Sequence, residues 1–156
     1  MNNPKSISLI FPLYRDKYTV KKVIDKSLKI LKKLKIKYEI IIVDDCCPEK
    51  SGLVALKYSK RNPKIKVIFH KKNYGYGAAI RSGFKNSRYE CVYAVDGDGE
   101  FGIALNDLPR VLKKYIFNDL VITYRYKKRY KTSRIIISWV YNFMLRFLFN
   151  INFKDI

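Results

Sequence analysis

Negative charge is scarce in this chain: 13 Asp and Glu stand against 33 Lys and Arg, a formal net charge of +20 over 156 residues. Such a surface attracts polyanions, whether phosphorylated substrates, anionic headgroups or nucleic acid. Histidine is nearly absent. His70 is the single one, which argues against zinc and leaves no pool of imidazoles for acid–base work. The three cysteines, Cys46, Cys47 and Cys91, are odd in number and form no CxxC pair, so they read as free thiols of a reducing compartment. The N-terminus, Met1-Asn2-Asn3-Pro4-Lys5, has no apolar core of a secretory leader. Internal repeats and low-complexity tracts are lacking. No apolar run reaches the ~20 residues that span a bilayer.

What is present is an alternation of β-rich runs and helical stretches. Strands are expected at Ser6–Phe11, Tyr38–Val43, Ile65–Phe69, Glu90–Val95 and Asp119–Thr123. Helices are expected at Lys17–Leu34, Leu53–Lys60, Ala78–Asn86, Leu105–Tyr115 and Ser133–Phe149. Strands separated by helices imply βαβ crossovers and a mostly parallel sheet in a single domain. Ligands bind such sheets beyond the carboxyl ends of the strands. Four strands end in chemically loaded residues: Pro12, Tyr14 and Asp16; Asp44 and Asp45; Asp96, Asp98 and Glu100; and Arg125. Parallel pairing would gather all four sets at one edge.

Asp96, Asp98 and Glu100 alternate with Gly97 and Gly99, which permit a tight turn and close approach of a ligand. Three hard oxygen donors within five residues suit Mg²⁺ or Mn²⁺, with a diphosphate completing the shell. A solvated acidic turn is the plain alternative. An EF-hand is excluded, because Phe101 stands where that loop needs glycine. Asp44-Asp45 reads either as a ligand pair or as a helix cap. Asn73-Tyr74-Gly75-Tyr76-Gly77 lacks the third glycine of a dinucleotide fingerprint and reads as a tight turn. Arg125 and Arg134 suit bidentate phosphate binding. Their neighbours Lys127, Lys128 and Lys131 read as a solvated loop or a lipid-headgroup contact. The segment 133–150 is apolar on nearly every side and fits a core helix or one lying at a membrane interface. Its exposure would also favour a homo-oligomer.

Six stretches in order, SLIFPLYRD, YEIIIVDDCCPEKS, NYGYGAAIRSGF, YAVDGDGE, DLVITYRY and RIIISWVYNFMLRFLFNINFKD, resemble the family 2 glycosyltransferases, in particular the branch of the dolichol-phosphate mannosyltransferases and the undecaprenyl-phosphate sugar transferases. The resemblance implies a GT-A fold, a Rossmann-like α/β/α sandwich. It implies a nucleotide pocket lined by Pro12, Tyr14, Asp16, Asp44, Asp45 and Asp96. It assigns the metal to Asp96, Asp98 and Glu100, and phosphate contacts to Arg125, Arg134 and Ser138. Three positions depart from the family pattern: Glu100 where Gln is usual, Tyr76 where Lys is frequent, and Asp16 where Glu is usual. Related enzymes continue beyond the Asp155 position, so the C-terminal part of the family domain is expected to be missing here.

The expected reaction is one inverting displacement at the anomeric carbon. Asp98, Arg125 and Arg134 are the expected catalytic residues, Mg²⁺ or Mn²⁺ the cofactor. A nucleotide-sugar is the donor and a lipid phosphate the acceptor, at the cytoplasmic face of a membrane with an anionic surface. An anionic phosphate acceptor needs no dedicated general base. Two other readings stand beside this one: an inactive homologue serving as a partner subunit, and a basic nucleic-acid-binding module. The second requires aromatics and lysines interleaved on an exposed sheet face. The apolar strands read as buried on both faces, which counts against nucleic acid.

Overall fold

The computed structural model describes residues 4–95, 101–123 and 132–149. Two compact units divide the chain, Met1–Asp119 and Leu120–Ile156.

The first unit is built on a four-stranded parallel sheet. Its strands are β1 (Ser6–Leu13), β2 (Lys37–Asp44), β3 (Ile65–Phe69) and β4 (Val92–Ala94), in the order β3-β2-β1-β4. Helices α1 (Val20–Leu34), α2 (Ser51–Ser59), α3 (Tyr76–Lys85) and α4 (Phe101–Tyr115) follow the strands in turn. β1 and β2 pair over their full length, Ser6 opposite Lys37 to Leu13 opposite Asp44. Every residue from Ile7 to Leu13 and from Glu39 to Asp44 is buried, as an apolar strand covered on both faces requires.

Period-two alternation splits these strands between two cores. Leu9, Phe11, Ile40 and Ile42 face a large cluster with Val23, Ile24 and Leu31 of α1, Ala55 of α2 and Leu105 and Leu108 of α4. Ile10, Ile41 and Val43 face the opposite side with Ala79 of α3. The β1–β2 and β2–β3 crossovers therefore lie on one face and the β3–β4 crossover on the other. α3 packs so tightly that a Cβ added at Gly83 would collide with the side chain of Ile10. The chain changes face between β1 and β4, which makes their carboxyl ends the switch point of the sheet.

Pro12 sharpens that opening. Ser8 donates its N–H to Cys91 O at 2.9 Å, so even-numbered β1 residues turn their N–H toward β4. Pro12 has none to give. The β1–β4 register ends at Ile10 opposite Ala94, and Val95 N–H adds one bond to Ile10 O at 3.0 Å.

The sequence expectation of a fifth strand at Asp119–Thr123 is not met, since residues 119–123 are not in a strand. Leu120 and Ile122 are exposed. Their β-propensity is realised only by pairing with a neighbour. The second unit contains α5 (Thr132–Phe149). Ile136, Ile137, Trp139, Tyr141, Phe143, Met144, Phe147 and Leu148 on it are all exposed, and Trp139 stacks on Phe143 with ring centroids 5.9 Å apart. Among the described residues no helix is long and apolar enough to cross a membrane.

Candidate active site at the carboxyl edge of the sheet

The loops after β1, β2 and β3 meet at the carboxyl edge. Asp45 N–H bonds Leu13 O at 3.1 Å, and His70 N–H bonds Asp44 O at 2.9 Å, so the first residues beyond the three strands are laced together. The loop after β1 is tied to the loop after β2 by Arg15 N–H to Cys47 Sγ (3.1 Å) and Asp16 N–H to Ser51 Oγ (3.2 Å). Asp16 also accepts Tyr14 N–H at 3.0 Å. Pro12, Tyr14, Asp16, Asp44 and Asp45 are thus brought together, as expected from the sequence. Tyr14 is partly exposed above them.

Backbone strain collects here. Arg15 (φ 63°), Cys46 (φ 57°) and Lys50 (φ 56°) are left-handed without being glycine, a conformation that costs each about 1–2 kcal/mol. Such conformations persist where surrounding bonds over-determine them. Cys47 supplies several of those bonds. Besides accepting Arg15 N–H, its sulfur lies 3.0 Å from Ser51 Oγ, and its carbonyl accepts Lys50 N–H at 3.0 Å. Burial alone would push the Cys47 thiol up. The hydrogen bonds from Ser51 and from the Arg15 and Glu49 backbone outweigh it and hold the thiol below its usual range. Cys91, buried without such partners, is pushed up to about 11.

The two aspartates do different jobs. Asp44 is buried and accepts Cys47 N–H on Oδ1 and Gly52 N–H on Oδ2, each at 2.6 Å. It closes the turn after β2 and satisfies a donor at the start of α2, whose own N-cap, Lys50, offers no side-chain bond. Asp45, equally buried, reaches the next loop. Oδ1 accepts Tyr74 N–H at 2.9 Å and lies 2.6 Å from His70 Nδ1, while Oδ2 accepts Gly75 N–H at 2.8 Å. Burial pushes the Asp45 carboxyl up, but the Tyr74 and Gly75 amides and His70 more than offset this and hold it below the ordinary carboxylate range.

His70 completes the arrangement, with Nε2 2.8 Å from Ser82 Oγ on α3 and its ring edge-on to Tyr74 at 5.3 Å. Asp45–His70–Ser82 has the connectivity of a hydrolytic relay. Ser82 sits inside α3, however, where neighbouring amides are spent on helical bonds and none is left to receive an oxyanion. The trio is a clamp on the 73–75 loop. As the single histidine, just after an apolar run, His70 carries no local mark of this connection. The signal lay in the parallel register: Asp44 pairs with Phe69, so the next residue of each strand, Asp45 and His70, must be neighbours.

Other expected site residues stand as follows. Asp96, Asp98, Glu100 and Arg125 lie outside the described residues. Val95, immediately before Asp96, follows β4 at the same edge, its N–H bonded to Ile10 O. Arg134 and Ser138 are four residues apart in α5, and Ser138 Oγ is 3.4 Å from Asn142 Nδ2. Among the described residues no group of three or more His, Cys, Asp and Glu is placed to hold a metal ion. The three carboxylates from which the sequence leads one to expect a Mg²⁺ or Mn²⁺ site, at 96, 98 and 100, are not among them. An open depression of about 680 Å³, lined by Pro4 and residues 115–119, lies at the amino end of β1, away from this chemistry.

The sequence model of glycosyl transferase family 2 matches residues 8–155. The chain belongs to that family. Among curated relatives it is similar to the human dolichyl-phosphate beta-glucosyltransferase, 34% identical over 102 residues, covering 61% of this chain and 32% of the relative. The Dictyostelium discoideum dolichyl-phosphate beta-glucosyltransferase is 31% identical over 124 residues, 74% of this chain and 38% of the relative. The chain thus spans about a third of the length of these relatives. Among solved structures, the mannosyltransferase PcManGT from Pyrobaculum calidifontis, in complex with GDP-Man and Mn²⁺, superposes with a TM-score of 0.56 at 15% identity, covering 69% of this chain and 32% of that one. That likeness shows the fold, which is the GT-A α/β sandwich expected from the sequence.

Proposed function

We propose that this family 2 glycosyltransferase moves a sugar from a nucleoside-diphosphate donor to a polyprenyl phosphate of the dolichyl type, with inversion at the anomeric carbon. The observation that carries the reading is the meeting of the β1, β2 and β3 loops at the carboxyl edge of the sheet, beside the switch point between β1 and β4, where such sheets take their ligands. Similarity to dolichyl-phosphate transferases supports the acceptor class.

In this scheme Tyr14, Asp16 and the Asp44–Asp45 edge line the base and ribose half of the pocket, and Pro12 keeps β4 from closing it. Asp96, Asp98 and Glu100 would hold a divalent ion, which when bound offsets the charge of the departing nucleoside diphosphate. Arg125 and Arg134 would stabilise developing phosphate charge, with Ser138 beside Arg134 toward the acceptor. The acceptor phosphate carries its own negative charge, so attack proceeds without a general base. α5, apolar and exposed, would rest on the cytoplasmic face of an anionic membrane where the lipid phosphate resides. Burial of β1 and β2 on both faces supports this reading over an aromatic nucleic-acid platform.

The test is a thermal-shift titration of UDP- and GDP-sugars with and without Mn²⁺. Stabilisation at 100 times Kd amounts to about 2.7 kcal/mol. It is expected for one nucleotide class, only with metal, and not for Asp98→Ala. Absence of any nucleotide response in the parent chain would refute the donor assignment. For the acceptor, transfer of labelled sugar to a short polyprenyl phosphate in detergent is expected, and transfer to water alone would refute it.

A further inference from the structure

We propose that His70 is a positioning residue of the donor pocket: it fixes the Asp45 carboxylate, which in turn holds the Asn73–Gly75 loop in the shape against which the nucleoside diphosphate lies. The inference rests on the donor reading above and assigns a task to the chain's only histidine, which that reading does not use.

The geometry is directional. Nδ1 of His70 is 2.6 Å from Asp45 Oδ1 and Nε2 is 2.8 Å from Ser82 Oγ, so the ring bridges β2 to α3 and cannot rotate without losing both bonds. With Nδ1 as donor to the carboxylate, Nε2 accepts from the Ser82 hydroxyl when the ring is neutral. The same hydroxyl turns to accept when the ring is protonated. The clamp thus holds in either state of the ring. Among the described residues the groups facing His70 are the Asp45 carboxylate beyond β2, the Ser82 hydroxyl on α3 and the Tyr74 phenol ring of the loop.

Asp45 then acts on the loop through backbone donors alone, the amides of Tyr74 and Gly75. Asn73 Oδ1 adds a second acceptor for Gly75 N–H at 2.9 Å. Gly75 takes φ 87°, open to glycine and strained for other residues, and serves as N-cap of α3 with its carbonyl bonded to the Ala78 and Ala79 amides at 3.1 Å each. The loop and the first turn of α3 are therefore set by one carboxylate, whose orientation His70 determines. The loop stands at the carboxyl edge of the sheet, the edge to which the donor reading assigns the nucleotide.

Asn and Gln separate the two ends of the ring. His70→Asn offers an amide N–H near the Nδ1 position and loses the Ser82 bond. His70→Gln reaches toward Ser82 and loses the Asp45 bond. The full chain and both variants are titrated with UDP and GDP in the presence of Mn²⁺, and amide hydrogen exchange is followed over residues 73–75. His70→Asn is expected to stay within about threefold of the parent Kd. His70→Gln is expected to weaken binding about tenfold or more, the loss of one such bond, with faster exchange at Tyr74 and Gly75. Equal loss in both variants would mean that the ring only fills space, and parent-like binding by His70→Gln would mean that Asp45 needs no partner. Either overturns the proposal. Failure of the parent to bind any nucleotide overturns the donor reading and the positioning role with it. In that case the exchange data still report whether the clamp itself exists, which separates the two failures.

Discussion

Replacing Asp44 by Asn tests whether this carboxylate is a structural latch. The side chain is 3% exposed, and each of its oxygens accepts one backbone N–H at 2.6 Å. Asn has one acceptor where Asp has two. Whichever way the amide turns, its NH₂ group faces either Cys47 N–H or Gly52 N–H. One bond to a charged acceptor is lost, about 1.5–3 kcal/mol, and a buried donor is left unpaired. The remaining bond weakens as its acceptor becomes neutral. Removing a buried charge returns part of this, which leaves a net loss of about 2–4 kcal/mol. Gly52→Ala attacks the same contact from the other side, because its Cβ would lie 2.8 Å from Asp44 Cβ and 2.5 Å from Phe69 Cε1. Overpacking of this kind costs about 1–3 kcal/mol. Because both substitutions break one bond, the double variant should fall short of their sum by about 1 kcal/mol. Urea unfolding at pH 7, read from midpoints at constant m-value, measures all three. A loss under about 0.5 kcal/mol for Asp44→Asn, or strict additivity, would refute the latch. A fully stable Asp44→Asn protein without nucleotide affinity would instead make Asp44 a direct ligand.

Two further outcomes follow from the same edge and from the opposite end of the sheet. The folded-state carboxyls of Asp45 and Glu39 both lie below their ordinary values, burial of each being outweighed by hydrogen bonds: Tyr74, His70 and Gly75 for Asp45; Arg88 N–H, Ser8 and Lys66 for Glu39. A depressed folded value contributes stability that is fully present above the unfolded value, about 4, and is lost as pH falls through the folded one. Urea midpoints should therefore hold from neutrality to about pH 5 and drop below about pH 4. The Asp45→Asn/Glu39→Gln protein, weaker throughout, should drop less, and an equal acid loss in both proteins would sink the assignment. Cys46→Gly relieves a left-handed backbone at φ 57°. It should raise stability by about 0.5–1 kcal/mol after the entropy of the added glycine, and a decrease in the urea midpoint would show that the exposed thiol, 3.8 Å from Lys71 O, holds the turn.

Much of the architecture could be read from period and punctuation, and what escaped was non-local. β3 runs from Ile65 to Phe69 as its apolar run indicated, and the burial of β2 from Glu39 to Asp44 follows from an uninterrupted Ile-Ile-Ile-Val run. α2 begins at Ser51, two residues before the expected Leu53, and its cap is hidden from local inspection. The helix start carries no capping side chain of its own and borrows Asp44 from the preceding strand. α3 begins at Tyr76 and not at the expected Ala78, because Gly75 takes the positive φ that ends the loop. The expected strand at Asp119–Thr123 had the composition of a strand, but composition cannot supply a paired edge.

The acidic pair shows why two adjacent aspartates at a strand end resist a one-line reading. Alternation along β2 sends successive side chains to opposite faces, so Asp44 and Asp45 are bound to address different loops. Asp44 accordingly serves α2, whose crossover packs on the face of Ile40 and Ile42. Asp45 serves the entry to α3, which packs on the face of Ile41 and Val43. The carboxyl edge needs the loops on both faces fixed at once, and a single carboxylate at the end of β2 reaches only one of them. The doubled aspartate is the shortest sequence that anchors the loops on both faces of the sheet. Exchanging either residue for Ala should therefore loosen one loop and spare the other, which amide exchange at Gly52 and at Gly75 reads separately. Simultaneous loss of protection at both sites in a single variant would contradict this division of labour.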